Sequence, residues 1–148
     1  MDIQEALKGL DRLFQEYRIG EVEAYLKDKL KEAEAEGDMH AHITLLNEMI
    51  GYCRDTSQYD KAVHYCGLAQ QAIAQQDLEG SVAHATTLLN IGNAYRAASL
   101  LKESMECYEK VFPIYDKHLD EKDFRYASLH NNLSLLYQEM GDYEHACD

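Results

Sequence analysis

The stretch that decides the fold is Leu88-Leu89-Asn90-Ile91-Gly92-Asn93-Ala94-Tyr95, and a related stretch, His130-Asn131-Asn132-Leu133-Ser134-Leu135-Leu136-Tyr137, follows it 42 residues later. This displacement superposes Asn90 on Asn132 and Tyr95 on Tyr137. A fixed period of roughly 20 to 50 residues is the signature of a protein built from stacked repeats. We therefore expect a modular architecture rather than a single irregular core.

The same displacement relates other segments of the chain. Tyr59-Asp60-Lys61-Ala62 recurs as Leu101-Lys102-Glu103-Ser104 and again as Tyr143-Glu144-His145-Ala146. An earlier relative of the first motif, Leu45-Leu46-Asn47-Glu48-Met49-Ile50-Gly51-Tyr52, aligns its Asn and Tyr with a displacement of 43, which implies one extra residue in the turn near Thr56. The predicted units are approximately 1–37, 38–79, 80–121 and 122–148, of which the first is degenerate and the last is truncated.

Each unit is expected to contain two antiparallel helices, A and B. Apolar residues recur at steps of three and four throughout, which places them on one helical face. In the first unit, for example, helix A is marked by Leu7, Leu10, Phe14 and Tyr17. The chain has one proline and eight glycines, so few residues oppose helix formation.

A few residues predict local features of these helices. Gly37 is expected to end helix B of the first unit, and Gly92 to allow the close approach of two helix backbones. Ser57, with Asp60 three residues later, resembles a cap for helix B of the second unit. Pro113 removes an amide donor inside helix B of the third unit, so we expect a kink there or, alternatively, a helix that breaks in two.

The repeat resembles the tetratricopeptide repeat, whose pattern reads W-x2-L-G-x2-Y, then A-x3-F, then P. The matching positions are Leu88, Ile91, Gly92, Tyr95, Ser104 and Tyr108. Departures are Ser99 where the turn usually has Gly, Ser104 where Ala is usual, and the absence of Trp. The long period is more similar to the repeats of kinesin light chains, and related long repeats occur in bacterial peptide-sensing regulators. The resemblance covers about Asp38 to Asp148.

This resemblance implies an all-α, right-handed superhelical solenoid of antiparallel helix pairs, with about three and a half repeats in a single domain, 1–148. Stacked helix pairs form a concave surface lined mainly by A helices, which is where ligands usually lie. We therefore predict that this groove binds an extended peptide or a partner protein. The candidate binding residues are Asn47, Arg54, Asn90, Asn93, Arg96, Asn131, Asn132, Leu135 and Gln138.

An Asn recurs on the expected inner face of three consecutive A helices. Because a carboxamide both donates and accepts, it pairs with the N–H and C=O groups of an extended peptide whatever the peptide's side chains are. Comparable Asn residues hold ligand backbone in kinesin light chains and peptide-sensing relatives, so the resemblance implies that role for Asn47, Asn90 and Asn132. The alternative is that these amides bond to neighbouring helices or water. Arg54 and Arg96 either engage an acidic group of the ligand or pair with nearby acids.

Composition and charge exclude several classes of function. Twenty-seven acidic residues against fourteen basic ones leave a formal charge of -13, which repels nucleic acid. No apolar segment approaches the roughly 20 residues of a membrane span. The first residues lack the features of a secretory signal, so a cytoplasmic location is expected. The four cysteines form no C-x-x-C pair and lie in helical patterns, where a structural role is expected.

The sequence carries no recognisable apparatus for catalysis. Glycine-rich phosphate-binding loops and nucleophile elbows are absent. His40 and His42 are the closest pair of histidines, but residues two apart on a helix point in different directions, so no metal site is expected. We predict a protein that is not an enzyme and needs no cofactor.

The leading prediction is therefore a scaffold for a peptide or protein. One alternative is a regulatory repeat segment of a larger enzyme or transcription factor. Another is self-association, as a homodimer formed through the truncated last repeat. Because that last unit stops a few residues into its helix B, we also expect the chain to be a fragment of a longer repeat protein.

Overall fold

Helices follow one another along the whole of the computed structural model, which describes residues 1–147, with side chains through Gly141. Within these residues there are seven α-helices and no strand, so the predicted all-α fold is confirmed. The helices are α1 (Ile3–Gln15), α2 (Val22–Ala35), α3 (Met39–Asp55), α4 (Tyr59–Gln75), α5 (Val82–Ala97), α6 (Leu101–His118) and α7 (Phe124–Cys147), with a short 3-10 turn at Ile19–Glu21. They belong to two compact units, unit 1 (Met1–Gln76) and unit 2 (Asp77–Asp148).

Unit 1 has its core between α2, α3 and α4. The apolar steps of three and four bring one face of each helix inward, and burying a Leu or Ile there contributes about 1.5–3 kcal/mol. The largest fully buried side chains of this unit are Val22, Leu26, Leu45, Leu46, Met49, Ile50 and Ile73. The assignment of Tyr17 to the apolar face of the first helix is wrong, because α1 ends at Gln15 and Tyr17 is 89% exposed. Its φ of 57° makes it part of the turn instead.

Unit 2 has its core between α5 and α6, and α7 packs against both helices. Its largest fully buried side chains are Ile91, Tyr108, Tyr115, Leu129 and Leu136. The edge of the Tyr126 ring contacts Tyr115, with centroids 5.6 Å apart, and the Tyr126 hydroxyl donates to Asp116 Oδ1 at 2.7 Å. These contacts fix the start of α7 on the end of α6.

The A helices begin at side-chain caps. The Ala41 N–H donates to Asp38 Oδ1 at 3.1 Å at the start of α3, and the His84 N–H donates to Ser81 Oγ at 3.1 Å at the start of α5. Such caps satisfy amide donors that have no partner within the helix. The helix pairs α1–α2, α3–α4 and α5–α6 therefore start close to the predicted unit boundaries.

The B helices begin after a different turn, and the cap predicted at Ser57 is wrong. Ser57 has a φ of 60° and follows α3 as its left-handed terminating residue, with the Gln58 N–H donating to Cys53 O at 2.7 Å. Gln58, which makes no side-chain cap, is the residue preceding α4. The same turn recurs at Ser99, whose φ is 64°. Gly37, with a φ of 69°, follows α2, so its predicted role in ending that helix is confirmed.

Pro113 lies inside α6, which continues unbroken from Leu101 to His118. The alternative that this helix breaks in two is therefore wrong, and the kink stays a prediction. Buried Val111 on one side of the proline and buried Ile114 and Tyr115 on the other hold both halves against the core. Their burial offsets the backbone hydrogen bond that proline removes.

The last helix differs from the predicted fourth unit. We expected the fourth unit to include the first few residues of its helix B, but α7 continues as one helix to Cys147. A break in this helix would remove backbone hydrogen bonds that α7 makes. The side chains of Tyr143, His145, Ala146 and Cys147, which carried the repeat pattern, lie outside the described residues.

Candidate functional site

The predicted binding residues lie on three helices, one in unit 1 and two in unit 2. They are Asn47 and Arg54 on α3; Asn90, Asn93 and Arg96 on α5; and Asn131, Asn132, Leu135 and Gln138 on α7. Helices α5 and α7 contact each other within unit 2, so their predicted residues lie on neighbouring helices.

On α3, the polar side chains bond to their own helix. Asn47 is half-buried, and its Nδ2 donates to Ile43 O at 3.1 Å. Thr44 Oγ1 likewise donates to His40 O at 3.1 Å. Arg54 pairs with the adjacent Asp55 at 3.1 Å. Of the two roles considered for Arg54, an ion pair with a nearby acid or a contact with an acidic ligand, the structure shows the first. In this state Arg54 is not reserved for an acidic ligand.

On α5, the carboxamide of Asn93 is held in place by the B helix. The hydroxyl of Tyr108, on α6, donates to Asn93 Oδ1. The ring of Tyr108 is fully buried and lies on Gly92, where a Cβ atom would come within 2.5 Å of Tyr Cε1. Gly92 thus makes room for Tyr108, and Tyr108 orients Asn93. The half-buried Asn90 and the exposed Thr86 lie one and two turns closer to the start of the same helix.

Arg96 joins α5 to α7. Its Nη1 lies 3.2 Å from Glu139 Oε1, and its side chain is 20% exposed. Burial disfavours the charged guanidinium, but hydrogen bonding with Tyr108 and the charge of Glu139 outweigh burial and raise the pKa of Arg96. Arg96 therefore stays charged and is neutralised from within the protein. Its Nε atom is buried without a hydrogen-bond partner.

On α7, two sets of residues face opposite ways. Leu129, Leu133 and Leu136 are buried against the rest of unit 2. Asn131, Leu135 and Gln138 are exposed, with Leu135 at 38%, while Asn132 is half-buried. Asn132 lies seven residues, or two helical turns, before Glu139, so both residues are on the same side of α7. This side faces α5, because Glu139 pairs with Arg96 on that helix.

The sequence did not identify Tyr108 and Glu139 as parts of the candidate binding site. Tyr108 was identified only as a position of the repeat motif, whereas its hydroxyl reaches Asn93. Glu139 was not singled out at all. A signal for it exists in the sequence, because an acid 43 residues after Arg96 lies about one repeat further along, where adjacent A helices meet.

Metal binding and thiol chemistry have little support among the side chains through Gly141. No group of three or more His, Cys, Asp or Glu side chains through Gly141 is arranged to bind a metal ion. Cys107 is buried, which raises the pKa of its thiol to about 11 and makes it a poor nucleophile. Of the helices in residues 1–147, none has the length and apolar character required to cross a membrane.

Part of the chain matches a known family. Residues 84–148 match the model of a family described as tetratricopeptide repeat. The matched stretch begins in α5 and includes α6 and α7, the two predicted units related by the 42-residue displacement. No curated protein matches the sequence.

Proposed function

Taking as premise that residues 84–148 belong to the tetratricopeptide-repeat family, we propose that α5 and α7 of unit 2 bind an extended peptide segment of a partner protein. Tetratricopeptide repeats are in general interaction modules without enzymatic activity. Stacked repeats of this kind present their A helices as a binding surface. In this chain, α5 and α7 are the A helices of the matched stretch.

The observation that carries the proposal is the Tyr108 hydroxyl bonded to Asn93 Oδ1. A carboxamide held in one orientation costs less conformational entropy when it binds a ligand than a mobile one. Asn90, Asn131 and Asn132 add further donors and acceptors on the same two helices. Such a set suits the N–H and C=O groups of an extended backbone.

We propose that Asn47 and Arg54, on α3 of unit 1, provide a separate and weaker contact for a peptide. The contact is weaker because both side chains already bond within α3. A ligand there would have to displace the bond from Asn47 to Ile43 O, at a net cost of about 1 kcal/mol.

The test is a pair of substitutions on the proposed surface. Peptides selected from a random phage-displayed library would be measured by fluorescence anisotropy against the wild type and the Asn90→Ala, Asn132→Ala double variant. Each lost hydrogen bond is worth about 1 kcal/mol net, so affinity should fall about 10- to 30-fold. The melting temperature should change little, since neither side chain fills the core.

Gln70→Ala serves as the matched control, because Gln70 is an exposed amide residue on α4, a B helix. This variant should bind the selected peptides as the wild type does. Equal affinity of the wild type and the double Asn variant would remove the amides from the proposed site. An equal loss in the Gln70 variant would show that the effect is not specific to the A helices.

Self-association is the second candidate function, and the exposed apolar side chains of α7 favour it. Phe124 is 79% exposed and Tyr137 is 60% exposed. Burying them between two copies would remove apolar area from water. Sedimentation velocity at rising concentration should then detect a dimer that is lost in a Phe124→Ser, Tyr137→Ser variant. A monomer at all concentrations rules this candidate out.

A further inference from the structure

The two A helices of unit 2 are unusually poor in charged residues. Helix α5 contains one, Arg96, and α7 contains two up to Gly141, Arg125 and Glu139, followed by Asp142 and Glu144, whose side chains lie outside the described residues. By contrast, α6 contains seven Lys, Glu and Asp residues. The acids that dominate the composition therefore lie mostly away from the proposed binding surface.

The few charges on these helices neutralise one another. Arg96 Nη1 lies 3.2 Å from Glu139 Oε1. Arg125 Nη2 lies 2.9 Å from Asp123 Oδ2, and Arg125 Nε and the Arg125 N–H also donate to that carboxylate. Each guanidinium on α5 and on the described part of α7 thus has a carboxylate partner supplied by the chain itself.

Apart from these ion pairs, the side chains that α5 and α7 present on the proposed surface as far as Gln138 are uncharged. The polar groups of this surface are the hydroxyls and amides of Thr86, Asn90, Asn93, Asn131, Asn132 and Gln138. Leu135 supplies an apolar contact among them. A charged side chain laid on this surface would lose hydration and find no opposite charge to replace it, which is costly.

We propose, on the basis of the function proposed above, that the bound segment is uncharged over the residues that contact α5 and α7. Its backbone groups pair with the carboxamides, and an apolar side chain of the segment contacts Leu135. The Arg96–Glu139 pair sets this preference, because Glu139 occupies the guanidinium that would otherwise attract an acidic residue. Glu139 is thus a specificity-determining residue that need not touch the ligand.

The experiment is a selection of random dodecapeptides displayed on phage against the full chain. Peptides that also bind the Asn90→Ala, Asn132→Ala variant are discarded. Those retained should be depleted in Asp, Glu, Lys and Arg at their central positions relative to the starting library. For a synthetic peptide of the retained sequence, affinity should change less than about threefold between 50 and 500 mM NaCl, because a neutral contact releases few ions. A central Glu or Lys in that peptide should weaken binding at least about tenfold.

A second selection uses Glu139→Gln, which keeps the shape of residue 139 but leaves the Arg96 charge without its partner. This variant should retain peptides with an acidic central residue and bind them at least about tenfold more tightly than the wild type does. Glu23→Gln is the matched control, since Glu23 pairs with Lys61 at 2.9 Å in unit 1, and it should retain the same uncharged peptides as the wild type.

The outcomes separate this inference from the function on which it rests. Wild-type peptides that share a charged central residue, or a Glu139→Gln variant that selects the same peptides as the wild type, overturn the uncharged-ligand inference and leave peptide binding intact. If no peptide depends on Asn90 and Asn132, the proposed function itself fails and the inference fails with it.

Discussion

Gly92 and Tyr108 form a close contact between α5 and α6. The Tyr108 ring, on α6, occupies the space that a side chain at position 92 would take. Ser104, also on α6, donates a hydrogen bond from its Oγ to Gly92 O at 2.8 Å. The repeat displacements place Met49 and Cys66 at the corresponding positions of α3 and α4, where both are fully buried. In α5–α6 the small residue is on the first helix and the large one on the second, whereas in α3–α4 the larger residue, Met49, is on the first helix and the smaller one, Cys66, on the second. The exchange keeps the total side-chain volume at the contact similar.

Replacing Gly92 with Ala should destabilise the protein. The added methyl group would lie 2.5 Å from Tyr108 Cε1, and the ring cannot withdraw easily because it is buried and its hydroxyl bonds Asn93. Overpacking of this kind costs about 1–3 kcal/mol, which exceeds the gain of about 1 kcal/mol from the better helix propensity of Ala. Chemical denaturation with urea, followed by circular dichroism, measures the change.

Gly67→Ala is the control for this substitution. Gly67 is exposed on α4 with no atom within 4 Å of a Cβ built there, so only the propensity term applies. This variant should be more stable by about 0.5–1 kcal/mol. Stabilisation by both substitutions would mean that the contact between Gly92 and Tyr108 is looser than described.

Single residues were predictable from the sequence to the extent that the repeat motif determines them. The motif predicted that Gly92 allows two helix backbones to approach each other, whereas in the structure the ring of Tyr108 fills the space beside Gly92. For Arg96 the sequence left two roles open, and the choice of Glu139 depends on where α7 lies against α5. A contact between helices that are far apart in sequence cannot be derived from periodicity alone.

At the scale of helices, a pair of histidines joins the start of α5 to the end of α6. The Gly80 N–H donates to His84 Nδ1 at 3.0 Å, and His118 Nε2 lies 3.0 Å from Gly80 O. The pKa of His84 is lowered, mainly because burial disfavours the charged imidazolium. The charge of Glu79 acts in the opposite direction, and that of Lys110 in the same direction as burial. As an acceptor, His84 Nδ1 must be unprotonated.

The stability of unit 2 should therefore fall as the pH drops below about 6.5, the ordinary pKa of histidine. Because the pKa of His84 is lower in the folded state, the unfolded chain binds the proton more readily, and protonation favours unfolding. The contribution of His84 to stability is complete above the pKa that His84 has in the unfolded chain. It is lost as the pH falls through the lower pKa that His84 has in the folded protein. Melting temperatures between pH 5 and 8 measure it.

His84→Asn is the matched variant, since Asn offers an acceptor at a similar position and does not titrate. Its melting temperature should depend less on pH than that of the wild type over this interval. Identical pH profiles would show that the bond from Gly80 to His84 contributes nothing to stability, and that the other histidines account for any acid destabilisation.

Most helices were predictable because their apolar periodicity is strong, and the ends were less so. Ser57 combines a serine with an acid three residues later, the pattern of a cap, but it takes the left-handed turn that follows α3. A residue such as Ser occurs both at the cap that starts a helix and in the turn that ends one. Which of the two Ser57 forms depends on where the preceding helix, α3, ends. The second helix expected at the end of the last unit was inferred from Tyr143-Glu144-His145-Ala146, a copy of the repeated motif. In the structure the backbone of these residues continues α7 instead.

At the scale of the whole molecule, charge is the dominant feature. The chain carries 27 acidic and 14 basic residues, which leaves a formal charge of -13 near pH 7. Several ion pairs on its surface, such as Lys61 with Glu23 and Lys29 with Glu32, are exposed and contribute little to stability. The excess acids repel one another in the folded chain more than in the expanded unfolded one. This repulsion acts on folding, whereas the charges of α5 and of α7 up to Gly141 are few and paired.

Added salt should therefore stabilise the protein at pH 7 while leaving peptide binding nearly unchanged. Raising NaCl from about 20 to about 300 mM shortens the screening length from roughly 20 Å to roughly 6 Å, so most of the repulsion between surface acids is screened. The melting temperature followed by circular dichroism should rise across this range. The rise should largely disappear near pH 4.8, the isoelectric point, where little net charge remains to be screened. A melting temperature that falls with salt at pH 7 would mean that the exposed ion pairs, and not the excess of acids, govern the electrostatic contribution to folding.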